Sequence, residues 1–377
     1  MILTNCAACA APLAHDAPRC VRCKTRYCNA TCQHDHWRRG HKQICKRIHR
    51  GGNAEHYHAD KKYKEAVAVA VEACADDTKG QTCFICTQAL HWKTKEGLVR
   101  GCACRGTAGV AHVSCLAEQA KILVAEVEEN NLGFDALNGR FERWHTCSLC
   151  EQYYHGVVRC ALGWACWKTY LSRPETDSSR HLAMQQLGNG LHNAKRHEEA
   201  LSVQEAELAM MRRLGDSEFN ILIAQNNLAG TYQVVGRAEE ASNMFRDIYS
   251  GRSKLVGEDH PKTLLAACNY ADNLRGLGRF EEAKSLLRKT IPVARRVLGE
   301  NNDITLSIRS VYAQALCTDD SATLDDLREA VTTLEETART ARRVLGGAHP
   351  LTLNIEGCLR YTRAALRARE TPSPGNA

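Results

Sequence analysis

The chain has 377 residues, enough for two or three domains, and a formal net charge of +7. Charged residues make up 25% of it and aromatic residues only 6%, which suits helical repeats better than a β-sandwich. No run of about 18 apolar residues occurs, so we predict no membrane contact. The first residues lack a basic stretch and a continuous apolar stretch, and we expect no signal peptide.

The chain contains twenty cysteines, which bear on its redox compartment. In a secreted protein so many cysteines would form disulfides. Here most of them stand in closely spaced pairs with the spacing of metal ligands. We therefore expect reduced, metal-binding cysteines and an intracellular, reducing location, either the cytoplasm or the nucleus.

Residues 1–50 contain a first set of eight potential metal ligands in four pairs. They are Cys6, Cys9, Cys20, Cys23, Cys28, Cys32, His41 and Cys45. Eight such ligands complete two closed tetrahedral Zn²⁺ sites. About 40 residues cannot bury an adequate apolar core, so bound metal must supply the stability of this module.

Together with Gln33 and Trp37, these ligands closely resemble a MYND finger. The resemblance implies that one zinc is shared by Cys6, Cys9, Cys28 and Cys32, and the second by the other four ligands. It also implies that Gln33 and Trp37 help to bind a short proline-containing peptide; alternatively, Trp37 only packs against the last small helix. The excess of basic residues here favours a solvated face over a nucleic-acid site, because stacked aromatic residues are lacking.

Residues 51–80 are predicted to form a linker followed by a short helix. The polar stretch up to residue 61 is interrupted by Gly51-Gly52, which favours an irregular segment. From Lys62 to about Ala75 the composition indicates a short helix, although the alternation of Ala and Val also permits a strand.

Residues 81–171 contain a second set of eight ligands, again in four pairs. They are Cys83, Cys86, Cys102, Cys104, His112, Cys115, Cys147 and Cys150. Four pairs in one short stretch predict a cross-brace, in which the first and third pairs hold one zinc and the second and fourth pairs hold another. The chain would then bind four Zn²⁺, and the thiolates would offset most of its positive charge, which removes any global attraction to polyanions.

The spacing of this second set resembles that of the RING-CH (RINGv) finger. One residue separates Cys102 from Cys104, and seven more precede His112. A PHD finger has the same ligand order but usually spaces its second pair wider and its histidine closer. Many RING-CH proteins are ubiquitin ligases, which dock a charged ubiquitin-conjugating enzyme and form no covalent intermediate. The resemblance implies that Ile85 and Leu116 contact that enzyme; the alternative for Ile85 is a buried core position.

Three features depart from the pattern of active ligases. Gln119 stands where a tryptophan is common, Glu151 stands where a basic residue often holds ubiquitin, and 31 residues separate Cys115 from Cys147. Metal binding is unaffected by these differences. Two functions therefore remain open: a RING-CH-type ubiquitin ligase, or a non-enzymatic zinc-finger and repeat adaptor for protein interactions.

The second module is predicted to end in an aromatic-rich helix over residues 153–171. Trp164 and Trp167 are three residues apart and share one helical face, so they should pack against a neighbouring element. Cys160 and Cys166 have no paired ligand and are expected to be core thiols.

Residues 180–370 contain repeats with a period near 42 residues. The motif Gly-Arg-x-Glu-Glu-Ala begins at Gly236 and again at Gly278. Helix pairs at a fixed period predict a solenoid in which each unit packs only against its neighbours. We expect four pairs and a closing helix, with a kink at Pro292. Residues 371–377 are expected to be a disordered tail.

These repeats resemble the tetratricopeptide (TPR) arrays of kinesin light chains. The resemblance implies a concave groove that binds a peptide, with Asn227, Asn269 and Asn273 holding its backbone. Alternatively, these asparagines hydrogen-bond within the solenoid. The sequence thus predicts a mostly α protein, with two small cross-braced zinc modules followed by an α-helical TPR-like solenoid.

Overall fold

The structure is a computed structural model that describes residues 5–319 and 321–370. The predicted tail, residues 371–377, lies outside the described residues. Over the described ranges the backbone is mostly helical, and four isolated bridges are its only β-structure. Within those ranges no helix is long and apolar enough to cross a membrane. The predicted fold class is confirmed.

The chain divides into two compact units, Met1–Gly215 and Asp216–Ala377. The first unit contains α1 (Ala30–His36), α2 (Lys42–Arg50), α3 (Ala54–Ala73), α4 (Ala75–Thr78), α5 (Val113–Glu129), α6 (Gly133–Phe141), α7 (Gly156–Tyr170), α8 (Ser178–Asn193) and α9 (His197–Leu214). The second contains α10 (Glu218–Val234), α11 (Ala238–Val256), α12 (Pro261–Gly276), α13 (Phe280–Leu298), α14 (Asp303–Cys317), α15 (Leu324–Val344) and α16 (Pro350–Glu370).

The segment predicted to be a linker is mostly helical. Helix α3 begins at Ala54, and the side chain of Asn53 caps it by accepting a hydrogen bond from the His56 N–H at 3.0 Å. The Ala54 N–H donates to the Cys23 carbonyl at 2.7 Å, which ties the helix to the first zinc module. The prediction of a linker was wrong, because a strong N-cap follows the glycine pair at once.

Helix α7 occupies the centre of the first unit. It packs against α3, α5 and α8, and both Trp164 and Trp167 are buried on it. Cys160 and Cys166 are also buried, as expected for core thiols. A single apolar core continues from α3 through α7 into α8 and α9. The first predicted repeat pair, α8 and α9, therefore shares its core with the second zinc module.

The second unit consists of three helix pairs and the closing helix α16. Each helix packs against the next one along the chain, as in a solenoid. Gly236 and Gly278 follow the first helix of their pairs with φ of 85° and 74°, a conformation that ends a helix and favours glycine. Helix α13 continues through Pro292 as one element from Phe280 to Leu298.

Candidate metal centres and partner surfaces

The structure brings the predicted ligands together in four clusters. In each cluster the ligand atoms lie within 4.8 Å of one another. The clusters are Cys6, Cys9, Cys28 and Cys32; Cys20, Cys23, His41 and Cys45; Cys83, Cys86, His112 and Cys115; and Cys102, Cys104, Cys147 and Cys150. These are the sets that the two cross-braces require. All twenty cysteines are free thiols.

The distances within the clusters fit tetrahedral zinc. Zn–S bonds of about 2.3 Å place two sulfur ligands about 3.8 Å apart. The sulfur–sulfur distances are 3.6 Å for Cys9–Cys28, 3.8 Å for Cys20–Cys45 and 3.8 Å for Cys104–Cys147. Soft thiolate donors with at most one imidazole per site are the ligands that zinc prefers in closed structural sites.

The two histidines offer different ring nitrogens to their clusters. The His41 Nε2 lies 3.3 Å from the Cys23 Sγ, and the His112 Nδ1 lies 3.4 Å from the Cys86 Sγ. The His112 Nε2 lies 3.4 Å from the Ala89 carbonyl, a contact that orients the ring. Burial lowers the pKa of both imidazoles, which favours the neutral form that binds metal.

Each Cys-x2-Cys pair lies on the same kind of tight turn. The residue after the second cysteine adopts a left-handed conformation, and its N–H donates to the carbonyl of the first cysteine. These residues are Ala10, Lys24, Thr87 and Glu151, with φ between 57° and 63° and N–O distances between 2.8 and 3.0 Å. The turn points both sulfur atoms toward one position, so the backbone prepares the site for a metal.

Backbone N–H groups also stabilise the first thiolate of these turns. The N–H groups of Ile85 and Leu149 each lie 3.4 Å from the sulfur of the first cysteine in their turn, Cys83 and Cys147 respectively. Burial raises the pKa of Cys83, but the backbone donors outweigh it and the net shift is downward. The pKa of Cys147 falls to about 4, first because of the Cys102 thiol and, against burial, because of backbone donors.

A fifth turn of this kind begins at His91 and has Thr94 where the other turns have their second cysteine. The sequence analysis missed this turn. The Lys95 N–H donates to the His91 carbonyl at 2.9 Å, and Lys95 has a φ of 60°. The His91 Nδ1 accepts hydrogen bonds from the N–H and the hydroxyl of Thr94 at 3.1 and 2.8 Å. Hydrogen bonds here join the two positions that the sulfur ligands occupy in the other turns. The spacing His-x2-Thr was the only sequence signal.

The 31-residue gap between Cys115 and Cys147 is occupied by structure. Helix α5 is followed by α6 and by a single 3₁₀ turn, Glu142–Trp144. Phe141 and Trp144 are buried there and join the apolar core. The extra residues therefore form a packed helical insert, after which Cys147 and Cys150 still reach the cluster of Cys102 and Cys104.

The predicted contacts for a conjugating enzyme differ in exposure. Ile85 is 37% exposed at its turn, whereas Leu116 is 3% exposed and packs in the core. The prediction for Leu116 is corrected: it lies in the first turn of α5, beside the buried Cys115, and this face of the helix points inward. Leu149 occupies the same place between Cys147 and Cys150 as Ile85 does in its pair, and it is 51% exposed. The sequence analysis missed Leu149, although this shared position could have revealed it.

The two predicted peptide-binding residues of the first module lie near the surface. Gln33 is half-buried in α1. Trp37 is 39% exposed, and its ring centroid lies 5.8 Å from that of the ligand His41. Trp37 therefore packs on the metal cluster with one part of its ring and leaves another part open to solvent.

The three predicted groove asparagines have different environments. Asn227 is half-buried, and so is Asn269, whose Nδ2 donates to the Asn226 Oδ1 at 3.0 Å. Asn273 is 1% exposed, and its Nδ2 lies 3.3 Å from the Ala238 carbonyl. The prediction that Asn273 contacts a peptide is corrected, because this side chain joins α12 to the start of α11 inside the solenoid.

Comparison with protein families identifies three parts of the chain. The MYND finger matches residues 6–45, the RING-variant domain matches residues 83–132, and a tetratricopeptide repeat family matches residues 220–296. The three identifications made from the sequence are confirmed. The RING-variant match ends before the last ligand pair, because the long insert separates that pair from the other ligands.

Solved structures with similar helical repeats have low identity to this chain. One match is to the TPR-like repeats of a Podosopora anserina protein described as a kinesin light chain, in a form with a single substitution. The identity is 18% and the TM-score 0.39, and the match covers 62% of this chain and 97% of that chain. BtubC (BKLC) from P. vanneervenii matches with 13% identity, a TM-score of 0.37 and coverage of 70% and 96%. No curated protein matched the chain.

Proposed function

We propose that this zinc-finger and TPR protein is a RING-CH-type ubiquitin ligase whose other domains recruit protein partners. The observation that carries the proposal is the pair of apolar side chains exposed on two metal-ligand turns, Ile85 and Leu149. Each stands between two cysteines of a metal cluster. An apolar side chain held on a rigid turn loses little entropy when it docks, which makes it an effective contact for a partner.

The proposed mechanism requires no nucleophile in this chain. The RING-variant module would bind a ubiquitin-charged conjugating enzyme and hold it near an acceptor amine, so that proximity accelerates the transfer. Bound zinc would supply only the fixed geometry of the turns. The MYND finger would bind a proline-containing peptide at Gln33 and Trp37, and the solenoid would bind a further peptide near Asn227 and Asn269. Reduced cysteines fit a role in the cytoplasm or nucleus.

We further propose that the four clusters hold four Zn²⁺ ions per chain. Elemental analysis of the purified protein should return about four zincs, and Cys104→Ala should lower the value by about one. The physical reason is that three remaining ligands hold a structural zinc much more weakly than four. Cys268→Ala, at a buried solenoid thiol outside every cluster, serves as the control and should keep all four. A wild-type content of two or fewer would contradict the proposal for one whole module.

Ile85→Ala and Leu149→Ala should each abolish ubiquitin transfer with little change in zinc content or melting temperature. Both side chains are exposed, so their truncation leaves no cavity in the core. The measurement is autoubiquitination against a panel of conjugating enzymes. Leu132→Ala is the matched control, because Leu132 is 58% exposed in the same unit but stands on no metal-ligand turn. Leu116→Ala should instead lower stability by about 2–5 kcal/mol, as for a core leucine.

The ligase function would be wrong if wild type were inactive with every conjugating enzyme tested and if Glu151→Arg were inactive too. Glu151 is exposed, and its backbone already adopts the left-handed conformation with a non-glycine residue. The substitution therefore adds a basic side chain without requiring a change of backbone conformation. The non-enzymatic adaptor would then be the function that remains. Activity retained in both Ile85→Ala and Leu149→Ala would separately reject these two turns as the docking surface.

A further inference from the structure

The most exposed tryptophan of the chain lies on the hydrogen-bonded turn that begins at His91. Trp92 is 68% exposed, whereas three of the other four tryptophans are buried and Trp37 is only partly exposed. Leu90, on the other side of His91 in the chain, is 59% exposed. Large apolar side chains that are exposed close together mark a surface for protein interaction.

Three contacts with the imidazole of His112 bring this turn beside the first metal-ligand turn of the module. The His112 Nε2 lies 3.4 Å from the Ala89 carbonyl. The His112 ring lies edge-on to that of His91, with 5.3 Å between the ring centroids. The His112 Nδ1 lies 3.4 Å from the Cys86 Sγ, in the turn that carries Ile85. The loop and the metal-ligand turn are therefore packed around one side chain.

Ile85, Leu90 and Trp92 form a surface that we call the docking patch. Each of them directly precedes or follows, in the chain, a residue that contacts His112. Consecutive Cα atoms are about 3.8 Å apart, so the three residues stand close together around this imidazole. All three side chains are exposed to solvent. The patch is therefore continuous with the contact already proposed at Ile85.

Hydrogen bonds and close packing hold the loop that carries Leu90 and Trp92. The His91 N–H donates to the Glu96 carbonyl at 3.0 Å. The Glu96 carboxylate accepts hydrogen bonds from the N–H and the hydroxyl of Ser114, in the first turn of α5, at 2.6 and 2.9 Å. A Cβ at Gly97 would lie 2.7 Å from the side chain of Val71 in α3. A loop held in this way loses little entropy when a partner docks on it.

Two lysines give the edge of the docking patch a positive charge. Lys93 and Lys95 are exposed, and in the part of the chain that the structure describes neither side chain has an ion-pair partner. Residues 87–95 contain no acidic residue, and the carboxylate of Glu96 is engaged with the start of α5. Opposite charge on a partner would speed its association and fix its orientation. The patch thus fits an apolar surface with carboxylates at its edge.

We propose that the docking patch, edged by Lys93 and Lys95, binds a conjugating enzyme whose docking surface is apolar with acidic residues around it. The inference rests on the proposed ligase function and names the kind of conjugating enzyme that the ligase uses. A protein that covers Ile85 also reaches Trp92, because both stand around His112. Trp92 supplies the largest contact, since a buried tryptophan is commonly a dominant energetic contact of an interface. The lysines discriminate among conjugating enzymes by charge.

The test measures the binding of each conjugating enzyme of the panel, without ubiquitin, to the zinc-loaded full chain by isothermal titration calorimetry. Trp92→Ala should weaken the tightest wild-type complex at least about tenfold, as for a central interface tryptophan. Leu90→Ala should weaken it several-fold. Zinc content and melting temperature should not change, because both side chains are exposed. Tyr361→Ala is the matched control at an exposed aromatic residue of the second unit, and it should bind as the wild type does.

The charge of the partner is tested separately, by the rate of association at two ionic strengths. Lys93→Glu should slow association several-fold and make it less dependent on salt, because charged groups at the rim of an interface act mainly on the encounter. Lys46→Glu, at an exposed lysine of α2 in the first zinc module, is the control. An unchanged rate in Lys93→Glu would overturn the acidic character of the partner surface.

The outcomes separate this inference from the ligase function. Weaker binding by Ile85→Ala with unchanged binding by Trp92→Ala would overturn the docking patch and leave the ligase function standing. Weaker binding by Trp92→Ala, in a wild type that transfers no ubiquitin, would support the patch and reject the ligase function. If no conjugating enzyme binds the wild type, both are overturned.

Discussion

Chelation of zinc is expected to unfold the chain up to about Gly215 and to leave the helices of the second unit folded. A structural zinc contributes on the order of 10 kcal/mol of folding free energy, more than a small module obtains from its apolar core. The core of the first unit continues from the second zinc module into α8 and α9, so these helices should lose their packing partners with it. Circular dichroism before and after chelation should show a partial loss of helical signal, reversed by added zinc.

The extent of that loss distinguishes two positions for the boundary between the part of the chain that needs metal to fold and the part that folds without it. The repeat pattern alone starts the solenoid at residue 180 and predicts that α8 and α9 survive chelation. The shared core predicts that they do not, and that a fragment beginning at Asp216 folds without metal while one beginning at residue 180 exposes the apolar face of α8. Hydrogen exchange of α8 and α9 after chelation measures this directly. Full protection of both helices would contradict the shared core.

Gly163→Ala is expected to destabilise the first unit by about 1–3 kcal/mol or more, with the second unit unchanged. A Cβ at this position would lie 2.8 Å from the carbonyl oxygen of Gln186 and 3.2 Å from the Cα of Leu187, both backbone atoms of α8. Backbone cannot rotate away as a side chain can, so α7 and α8 would have to separate. The unfolding transition of the first unit should move to a lower temperature in thermal unfolding and to a lower urea concentration in urea unfolding.

Gly139→Ala provides the matched control for this prediction. Gly139 is an exposed helical glycine of α6, and a Cβ there would meet no atom within 4 Å. The same substitution should therefore stabilise the first unit by about 0.5–1 kcal/mol, the usual gain of alanine over glycine in a helix. Equal destabilisation by the two variants would show that the close crossing of α7 and α8 is absent in solution.

The metal clusters could be predicted from the sequence because their chemistry is local. Two cysteines separated by two residues fit one turn whose backbone aims both sulfur atoms at one point, as the turn at Cys83 does. Eight ligands in order then leave few ways to complete two tetrahedral sites. The 42-residue repeat was visible for a similar reason, since each helix pair carries its own turn glycine, as at Gly236 and Gly278.

Two of the predictions that needed correction concern which face of a helix is buried. Leu116 and Asn273 both lie on helices, but each side chain points into the interior. The hydrogen bonds that replace a metal between His91 and Thr94 form only because the loop closes there. Ligand spacing and helical period predict none of these outcomes, because each outcome depends on which other residues pack against the helix or loop.

The sequence by itself determined the ligand sets, the helical repeats and the order of the three domain types, because local geometry and periodicity specify them. Only the tertiary structure decided that α8 and α9 share a core with the second zinc module, and that Ile85 and Leu149 remain exposed while Leu116 is buried. Residues distant in the chain set these environments, and their contacts exist only once the helices have packed.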